Sequence, residues 1–217
     1  MPPSIPTSTS PNTPKGSCSC ERRDRPAVVG VGSRAIRQPC LHRLLSGNQE
    51  GVVIDAADEA DRIIAACRGL EVEAILTTHG HHDHIQAVDA VKAAFDVPFL
   101  LHPADREIAD RSFDGTLDDG QEFQVGTVNI HVMHTPGHTP GSVSFVVEPI
   151  IFFGDTLFPG GPGATRWPYS SFGQIMDSVE KRLMVYPDPT IVYPGHGAET
   201  TLGSERPHLE EWRARGW

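Results

Sequence analysis

The chain has 217 residues, of which 38% are hydrophobic, with 21 Gly and 19 Pro and a formal net charge of −10. This length can bury a sizeable core, and the Gly and Pro content indicates many turns. The acidic balance without a basic stripe predicts no nucleic-acid partner. No apolar run is long enough to span a bilayer, so we expect no membrane association.

Residues 1–26 are rich in Pro, Ser and Thr and lack the apolar central segment of a secretory signal. They predict a disordered N-terminal tail, followed by a single domain over residues 27–217. Cys18 and Cys20 form a Cys-x-Cys pair, but scattered reduced thiols are the simpler interpretation. These features predict a cytoplasmic protein.

The first half of the domain alternates short apolar runs with segments of helical periodicity. Strands are predicted at 51–57, 72–79 and 97–102, and helices at 58–70, 84–95 and 103–110. Asp83 is the predicted N-cap of the helix over 84–95, because a short acidic side chain suits that position. The irregular region 27–46 predicts a strand only at 41–45, paired with 51–55.

The second half begins with alternating residues around turn signals at Asp119-Gly120 and Gly126. Further strands are predicted at 142–148, 150–155 and 190–195, and helices at 171–183 and 204–213, the first of them capped by Ser171. Strands that alternate with helices in both halves predict an α/β (α+β) class, with a sheet-rich core covered by helices.

The stretch TTHGHHDHIQAV, residues 77–88, sets several histidines and a carboxylate almost side by side at the end of a predicted strand. Clustering such groups costs desolvation unless something holds them, and metal ions are the usual reason. His79 and His81 are two residues apart, so on an extended segment both rings can point to one side. Asp83 and His84 follow and can turn towards a second centre.

Three further predicted strand ends carry a residue of the same chemistry. His138 lies on the tight turn of HTPGHTPGS, Asp155 ends the apolar run FFGD, and His196 lies between glycines in VYPGHG. A buried, unpaired carboxylate at Asp155 would be costly, and a nearby cation is the simplest remedy. Ligands also gather at the carboxyl ends of strands in α/β folds.

This ordered pattern resembles the metallo-β-lactamase superfamily: His-x-His-x-Asp-His, a Gly-His turn, a Gly-Asp strand end and a final Gly-His, over roughly residues 50–200. GDTLF and PGHG look most like its glyoxalase II (hydroxyacylglutathione hydrolase) branch. The resemblance implies a four-layer αβ/βα sandwich, with metals in the cleft between two β-sheets.

The resemblance also implies a ligand set for two divalent metal ions. The first would be held by His79, His81 and His138, and the second by Asp83, His84 and His196, with Asp155 bridging them. Zn is the expected metal, and Fe and Mn suit such donors too. Asp55 is expected to orient a ligand ring, or to be only a turn former at its strand end.

Two such metals would hold a hydroxide that attacks the substrate, with Asp155 bridging them and Asp83 orienting it, so both aspartates are candidate catalytic residues. Arg166, Trp167 and Tyr169, in the loop after Asp155, could contact a small-molecule substrate, although a plain surface loop is as compatible with the sequence. The remaining histidines are predicted to be neither ligands nor catalytic: His42, His82, His102, His131, His134 and His208.

The leading hypothesis is a glyoxalase II-like thioesterase, working as a monomer or small homo-oligomer. Pro162, Gly163 and Ala164 replace the Cys-Gly-Arg common in that branch, and the chain ends about twenty residues after His196, before any glutathione-binding helical domain. Both departures put glutathione thioesters in doubt. The alternatives are a persulfide dioxygenase with one iron on His79, His138 and Asp155, a β-lactamase or lactonase, and an inactive metal-binding module.

Overall fold

The computed structural model describes residues 27–33, 38–45 and 49–216. The predicted disordered tail, with Cys18 and Cys20, lies outside the described residues. Two six-stranded sheets and a set of short helices make up the described part of the chain.

The first sheet contains β1 (Ala27–Ser33), β2 (Gln38–Leu45), β3 (Glu50–Ile54), β4 (Glu71–Leu76), β5 (Phe99–Leu101) and β6 (Gly115–Thr116), in that spatial order. The pairings of β1 with β2 and β2 with β3 are antiparallel, and those from β3 to β6 are parallel. The predicted pairing of 41–45 with 51–55 is confirmed, because His42 lies opposite Ile54 and Leu45 opposite Gly51. β1 was not predicted.

The second half supplies β7 (Glu122–Val125), β8 (Val128–His134), β9 (Val143–Val147), β10 (Ile150–Gly154), β11 (Leu157–Phe158), β12 (Gly161–Pro162), β13 (Ile191–Pro194) and β14 (Thr200–Thr201). β11 and β12 pair only with each other, and the others form the second sheet in the order β14-β13-β10-β9-β8-β7. β10 and β13 are parallel, and the remaining pairs of this sheet are antiparallel.

The helices are α1 (Ala60–Ala66), α2 (His82–Ile85), α3 (Val88–Phe95), α4 (Arg106–Ala109), α5 (Phe172–Ser178), α6 (Leu202–Glu205) and α7 (Leu209–Arg215). Ser171 caps α5 as predicted, since its side chain accepts a hydrogen bond from the Gln174 N–H. The predicted N-cap at Asp83 is wrong: α2 already begins at His82, and its N-cap residue, His81, makes no side-chain cap. None of the described helices is long and apolar enough to cross a membrane.

Three apolar clusters show how these elements stack. The inner faces of the two sheets meet around Leu76, Ile130 and Phe145, all fully buried. The outer face of the first sheet packs on α1 and α3, and the outer face of the second packs on α5, α6 and α7. The order helix, sheet, sheet, helix is the predicted four-layer αβ/βα sandwich, which is confirmed.

The two sheets are joined at the edge where the predicted site residues follow their strands. The Val143 N–H of β9 donates to the Thr78 carbonyl just after β4, at 2.8 Å. Within the second sheet, the Gly195 N–H after β13 donates to the Gly154 carbonyl at the end of β10, also at 2.8 Å. The loops that follow β4, β8, β10 and β13 therefore converge on one place.

Candidate metal centre

Five histidines and two aspartates from these loops gather into overlapping groups that could hold metal ions. The groups are His79–His81–His138, His79–His84–Asp155 and Asp83–His84–His196, and the ligand atoms of each lie within 4.8 Å of one another. All seven ligands predicted from the sequence thus lie in one constellation. Their role as ligands stays a prediction.

The first group is almost closed to solvent. The Nδ1 atom of His81 lies 3.0 Å from Nε2 of His79 and 3.0 Å from Nε2 of His138. His79 and His138 are buried, and His81 is partly exposed. The three nitrogens therefore face a common point that opens towards solvent past His81.

The second group is more open. His196 Nε2 lies 3.2 Å from His84 Nε2 and 3.2 Å from an Asp83 carboxylate oxygen. The His84 side chain is fully buried, but 47% of the Asp83 side chain is exposed. Asp83 thus lies on the solvent side of this group.

Asp155 lies between the two groups. Its Oδ1 is 3.4 Å from His84 Nε2, and its Oδ2 is 3.5 Å from both His138 Nε2 and His196 Nε2. Oδ1 is buried and makes no hydrogen bond. A buried carboxylate oxygen without a hydrogen bond is costly, and a cation beside it removes that cost.

Hydrogen bonds on the outer side of three rings place a proton on the outer nitrogen of each. His138 Nδ1 donates to the Ala164 carbonyl at 2.8 Å, and His84 Nδ1 donates to Asp55 Oδ2 at 2.9 Å. Thr78 Oγ1 donates to the same Asp55 oxygen at 2.8 Å, so it accepts from His79 Nδ1 at 3.1 Å. Each ring then directs its Nε2 inwards, where that nitrogen can bind a metal ion when it carries no proton.

His81 has the opposite orientation, because its Nδ1, not its Nε2, faces the other candidate ligands. Its Nε2 lies 2.8 Å from the Tyr169 hydroxyl, which leaves Nδ1 facing His79 and His138. Lone pairs that face each other at 3.0 Å repel unless a cation lies between them. The donor set therefore fits a metal ion, and outer partners of this kind are what metal-binding histidines use.

The pKa shifts of these histidines are consistent with a site for metal ions. Burial lowers the pKa of His79 well below its ordinary value and that of His81 to about 4, so both rings are neutral near pH 7. Burial alone would lower the pKa of His84, but the carboxylates of Asp55 and Asp155 raise it well above its usual range. The second group thus favours a positive charge, which either a proton or a metal ion supplies.

A cleft of about 440 Å³ opens onto the centre and gives it access to solvent. Its lining includes Phe158, Arg166 and Trp167 besides the site residues. The Trp167 ring centroid lies 4.6 Å from that of His81, and the Arg166 guanidinium lies 4.7 Å from the Trp167 ring. Two of the three predicted substrate residues thus border the cleft, and the third, Tyr169, hydrogen-bonds His81 from beside it.

The other histidines lie apart from the ligand groups, except that the exposed His82 lines the rim of the cleft. His134, at the end of β8, stacks on His102 with ring centroids 4.3 Å apart. His131 and His208 are near surface carboxylates. The His42 side chain lies outside the described part of the structure. That these residues are not ligands stays a prediction.

One buried residue was missed. Asp105 is completely buried and accepts hydrogen bonds from the loops that carry His79, His81 and His138. In the sequence it is one acidic residue of a short helical segment, PADREIAD, and nothing nearby marks it. A signal existed only in the loops, where Gly80 and Gly141 allow a close approach.

Residues 44–196 match the model of the metallo-beta-lactamase superfamily. The chain belongs to this superfamily. Membership supports a metal-dependent enzyme, and it agrees with His and Asp groups that could hold metal.

Three curated relatives are similar over most of their length. A protein from Aquifex aeolicus is 34% identical over 82% of this chain and 92% of its own. The probable metallo-hydrolase YqgX of Bacillus subtilis is 31% identical, with 75% and 87% covered. The hydroxyacylglutathione hydrolase GloC of Haemophilus influenzae is 29% identical, with 79% and 91% covered.

Three solved structures are similar to this chain over most of its length. BLEG-1, a B3 metallo-beta-lactamase, is 31% identical with a TM-score of 0.76, over 84% of this chain and 98% of that one. ETHE1 from Myxococcus xanthus is 26% identical with a TM-score of 0.73, over 84% and 83%. TTHA1623, solved in a di-iron-bound form, is 32% identical with a TM-score of 0.69, over 83% and 96%.

Proposed function

We propose that the protein is a dinuclear metal-dependent thioesterase of the glyoxalase II type, which hydrolyses a small acyl-thioester. The observation that carries this proposal is the pair of three-residue groups, His79–His81–His138 and Asp83–His84–His196, on either side of Asp155. Two ligand groups on either side of one carboxylate suit a pair of metal ions.

The reaction is the addition of water to a thioester, R–CO–SR′ + H₂O → R–COO⁻ + R′SH + H⁺. Bound metals would supply a water-derived nucleophile at neutral pH and would polarise the thioester carbonyl. The C–S bond breaks with its electron pair on sulfur, and a thiolate is a good leaving group. The chain therefore needs no strong general acid.

Asp83 is suited to orient the attacking water. A hydrogen bond from His196 lowers the pKa of Asp83 to about 2, so this carboxylate is ionised at any working pH and accepts a proton-bearing partner. It is also the most exposed of the carboxylates at the centre, which sets it beside incoming solvent.

The cleft suits a small substrate with an anionic end. Its volume of about 440 Å³ is in the range of small-molecule sites. Phe158 and Trp167 offer apolar ring surface for the acyl group or the carrier, and Arg166 offers a guanidinium for a carboxylate. The name of the GloC relative makes a hydroxyacyl group on glutathione the first substrate to try.

The comparison with GloC also removes one argument against glutathione. This chain covers 91% of that hydroxyacylglutathione hydrolase, so the match needs no further glutathione-binding domain beyond the shared fold. The replacement of Cys-Gly-Arg by Pro162, Gly163 and Ala164 remains a reason to test other thiol carriers.

The second candidate function is persulfide oxygenation by one iron, and the likeness to ETHE1 supports this candidate. It would use His79, His138 and Asp155, and the 3.5 Å between His138 Nε2 and Asp155 Oδ2 is compatible with such a set. A β-lactamase is the third candidate because of the likeness to BLEG-1.

One assay separates these functions. Protein purified without added metal is offered a hydroxyacyl-glutathione, the same acyl group on N-acetylcysteamine, glutathione persulfide with oxygen, and a chromogenic β-lactam. We expect thiol release from a thioester, which stops with a chelator and returns when metal is restored. Oxygen uptake with the persulfide, or β-lactam hydrolysis without thioesterase activity, would overturn the proposal.

A further inference from the structure

The carboxylate of Asp105 is the most deeply enclosed acidic group beside the metal centre that is not itself in a ligand group. The residue ends a short 3₁₀ turn (Pro103–Asp105) after β5 and is 0% exposed. Such a carboxylate is costly unless its oxygens are fully hydrogen-bonded. The donors of these hydrogen bonds therefore indicate the role of Asp105.

All three side-chain hydrogen bonds of Asp105 come from the loops of the first ligand group. Oδ2 accepts from the Gly80 N–H at 2.8 Å, between His79 and His81. The same oxygen accepts from Thr139 Oγ1 at 2.7 Å, and Oδ1 accepts from the Gly141 N–H at 2.6 Å. Thr139 directly follows His138, so one carboxylate ties together the two loops that supply the first group.

The loops approach Asp105 closely at two glycines. A Cβ atom on Gly141 would lie 2.6 Å from the Asp105 carboxyl carbon, which only glycine avoids without a shift of the chain. A Cβ on Gly80 would lie 3.0 Å from the Asp105 carbonyl oxygen, a tight contact. Both loops are therefore packed directly against this residue.

Among the described residues, Asp105 makes no hydrogen bond or ion pair with Asp83, His84 or His196. Asp55 orients His84 and also binds Thr78, whose hydroxyl holds the His79 ring. Asp55 therefore supports both groups, whereas the hydrogen bonds of Asp105 reach only the loops of the first.

We propose that Asp105 is a positioning residue that sets the geometry of the first ligand group, His79–His81–His138, and has little influence on the second. The inference rests on the proposed metal-binding function. Partners of this kind contribute ~10–100-fold to metal affinity in other proteins.

The substitution Asp105→Asn tests this, because the amide is nearly isosteric but turns one acceptor into a donor that faces N–H and O–H groups. The two groups are separated by background variants. His196→Ala removes a ligand of the second group and leaves the first, whereas His81→Ala does the reverse. The affinity for Zn is measured in each background by competition with a chromophoric chelator.

We expect Asp105→Asn to weaken Zn binding ~10–100-fold in the His196→Ala background and to leave it unchanged in the His81→Ala background. The matched control is Glu205→Gln. Glu205 is also buried and accepts two hydrogen bonds, from Gly160 N–H and Thr200 Oγ1, but neither partner is next to a candidate ligand in the chain. We expect it to lower thermal stability without changing either affinity.

A milder pair covers the case in which Asp105→Asn does not fold. Thr139→Val removes one hydrogen bond to Asp105 with little change in shape, and Thr139→Ser keeps it. Only the valine variant should weaken the first group. Equal loss in both backgrounds, or no loss in either, would overturn the role of Asp105. An absence of Zn binding by the unsubstituted protein would instead overturn the proposed function.

Discussion

At the scale of single residues, the centre depends on which nitrogen of each ring faces inwards. Thr78, Asp55, Tyr169 and the Ala164 carbonyl each hold the outer nitrogen of one ring. These partners come from separate segments, so the tautomers are set by the fold before any metal arrives. A preformed donor set loses less entropy when it binds an ion.

Two neighbouring histidines give a direct test at this scale. His84 is buried and belongs to two of the candidate ligand groups, whereas His82, two residues earlier, is exposed at the rim of the cleft. We expect His84→Ala to reduce thioesterase activity by at least ~100-fold, since a ligand matters more than its outer partners. His82→Ala should keep both activity and metal content. Equal effects of the two substitutions would contradict the assignment.

Gly163 holds the main chain next to Asp155. A Cβ atom there would lie 1.8 Å from the Asp155 carbonyl oxygen. Gly163→Ala must therefore push the Asp155 segment away, and we expect a lower melting temperature together with weaker metal binding. Gly173→Ala serves as the comparison, because this position in α5 is open and has no positive φ. Unchanged metal affinity in Gly163→Ala would show that Asp155 does not need this packing.

At the scale of elements, α5 supports the turn that carries His138. The Ser171 N–H donates to the Gly137 carbonyl at 2.8 Å, and a Cβ on Gly137 would lie 2.3 Å from the Ile175 nitrogen. The first turn of α5 is thus packed directly against the residue before a candidate ligand. The helix therefore restricts the position of the turn that carries His138.

Removal of the α5 cap should affect stability and leave the site intact. The Ser171 side chain accepts from the Gln174 N–H at 3.3 Å, and loss of such a cap costs about 1 kcal/mol. For a chain of this size, that lowers the melting temperature by roughly 2–4 °C. The backbone bond to Gly137 survives in Ser171→Ala, so metal content should not change. A large loss of metal would mean that the cap itself shapes the His138 turn.

The strands and helices also show how much of the fold could be predicted from the sequence. Apolar runs and turn residues predicted most strands correctly, and Ser171 was recognised as a cap from its residue type alone. The prediction of one helix over 84–95 was wrong in its start and its continuity, because the helix begins at His82 and is interrupted at Ala87, between α2 and α3. There Asp83 turns towards His196 instead of capping the helix, and this long-range contact left no local signal.

The candidate ligands could be picked out as a set, because each follows an apolar strand and matches an ordered motif, and their role as ligands stays a prediction. Asp105 could not be picked out in this way, since its role exists only through contacts 25 to 36 residues away in the chain. Strand β1 was also missed, because residues 27–33 include glycines and have no clear alternation. Motifs reveal ligands, whereas their supporting contacts emerge only from the fold.

At the scale of the whole molecule, the metals should join the two sheets. The candidate ligands follow β4 of the first sheet and β8, β10 and β13 of the second. An ion that binds all of them stabilises the folded state by mass action. We expect a marked fall in melting temperature on chelation, reversed by added Zn. The Ser171→Ala variant should show the same shift, because its defect is independent of the site.

The metal-free protein should lose stability as the pH falls below neutral. Burial lowers the pKa values of His79, His81 and His138, that of His81 to about 4, whereas an unfolded histidine titrates near ~6.5. Between these values the unfolded chain binds more protons, so the free energy of unfolding decreases as the pH falls. The raised pKa of His84 acts in the other direction only above ~6.5.

Urea midpoints of the chelated protein at about pH 7 and about pH 5 would check this window. The midpoint should be lower at the acidic pH, and the difference should shrink in His81→Asn, which cannot be protonated. A midpoint that rises on acidification would mean that these rings are not buried as neutral groups.

The most direct test of the account is the metal content of the protein purified without added metal, measured by elemental analysis. Two adjacent ligand groups around Asp155 predict about two equivalents per chain, as Zn or as mixed Zn and Fe. A single equivalent of iron would favour sulfur oxygenation. No bound metal, with none taken up when Zn is offered, would contradict the metal-dependent function altogether.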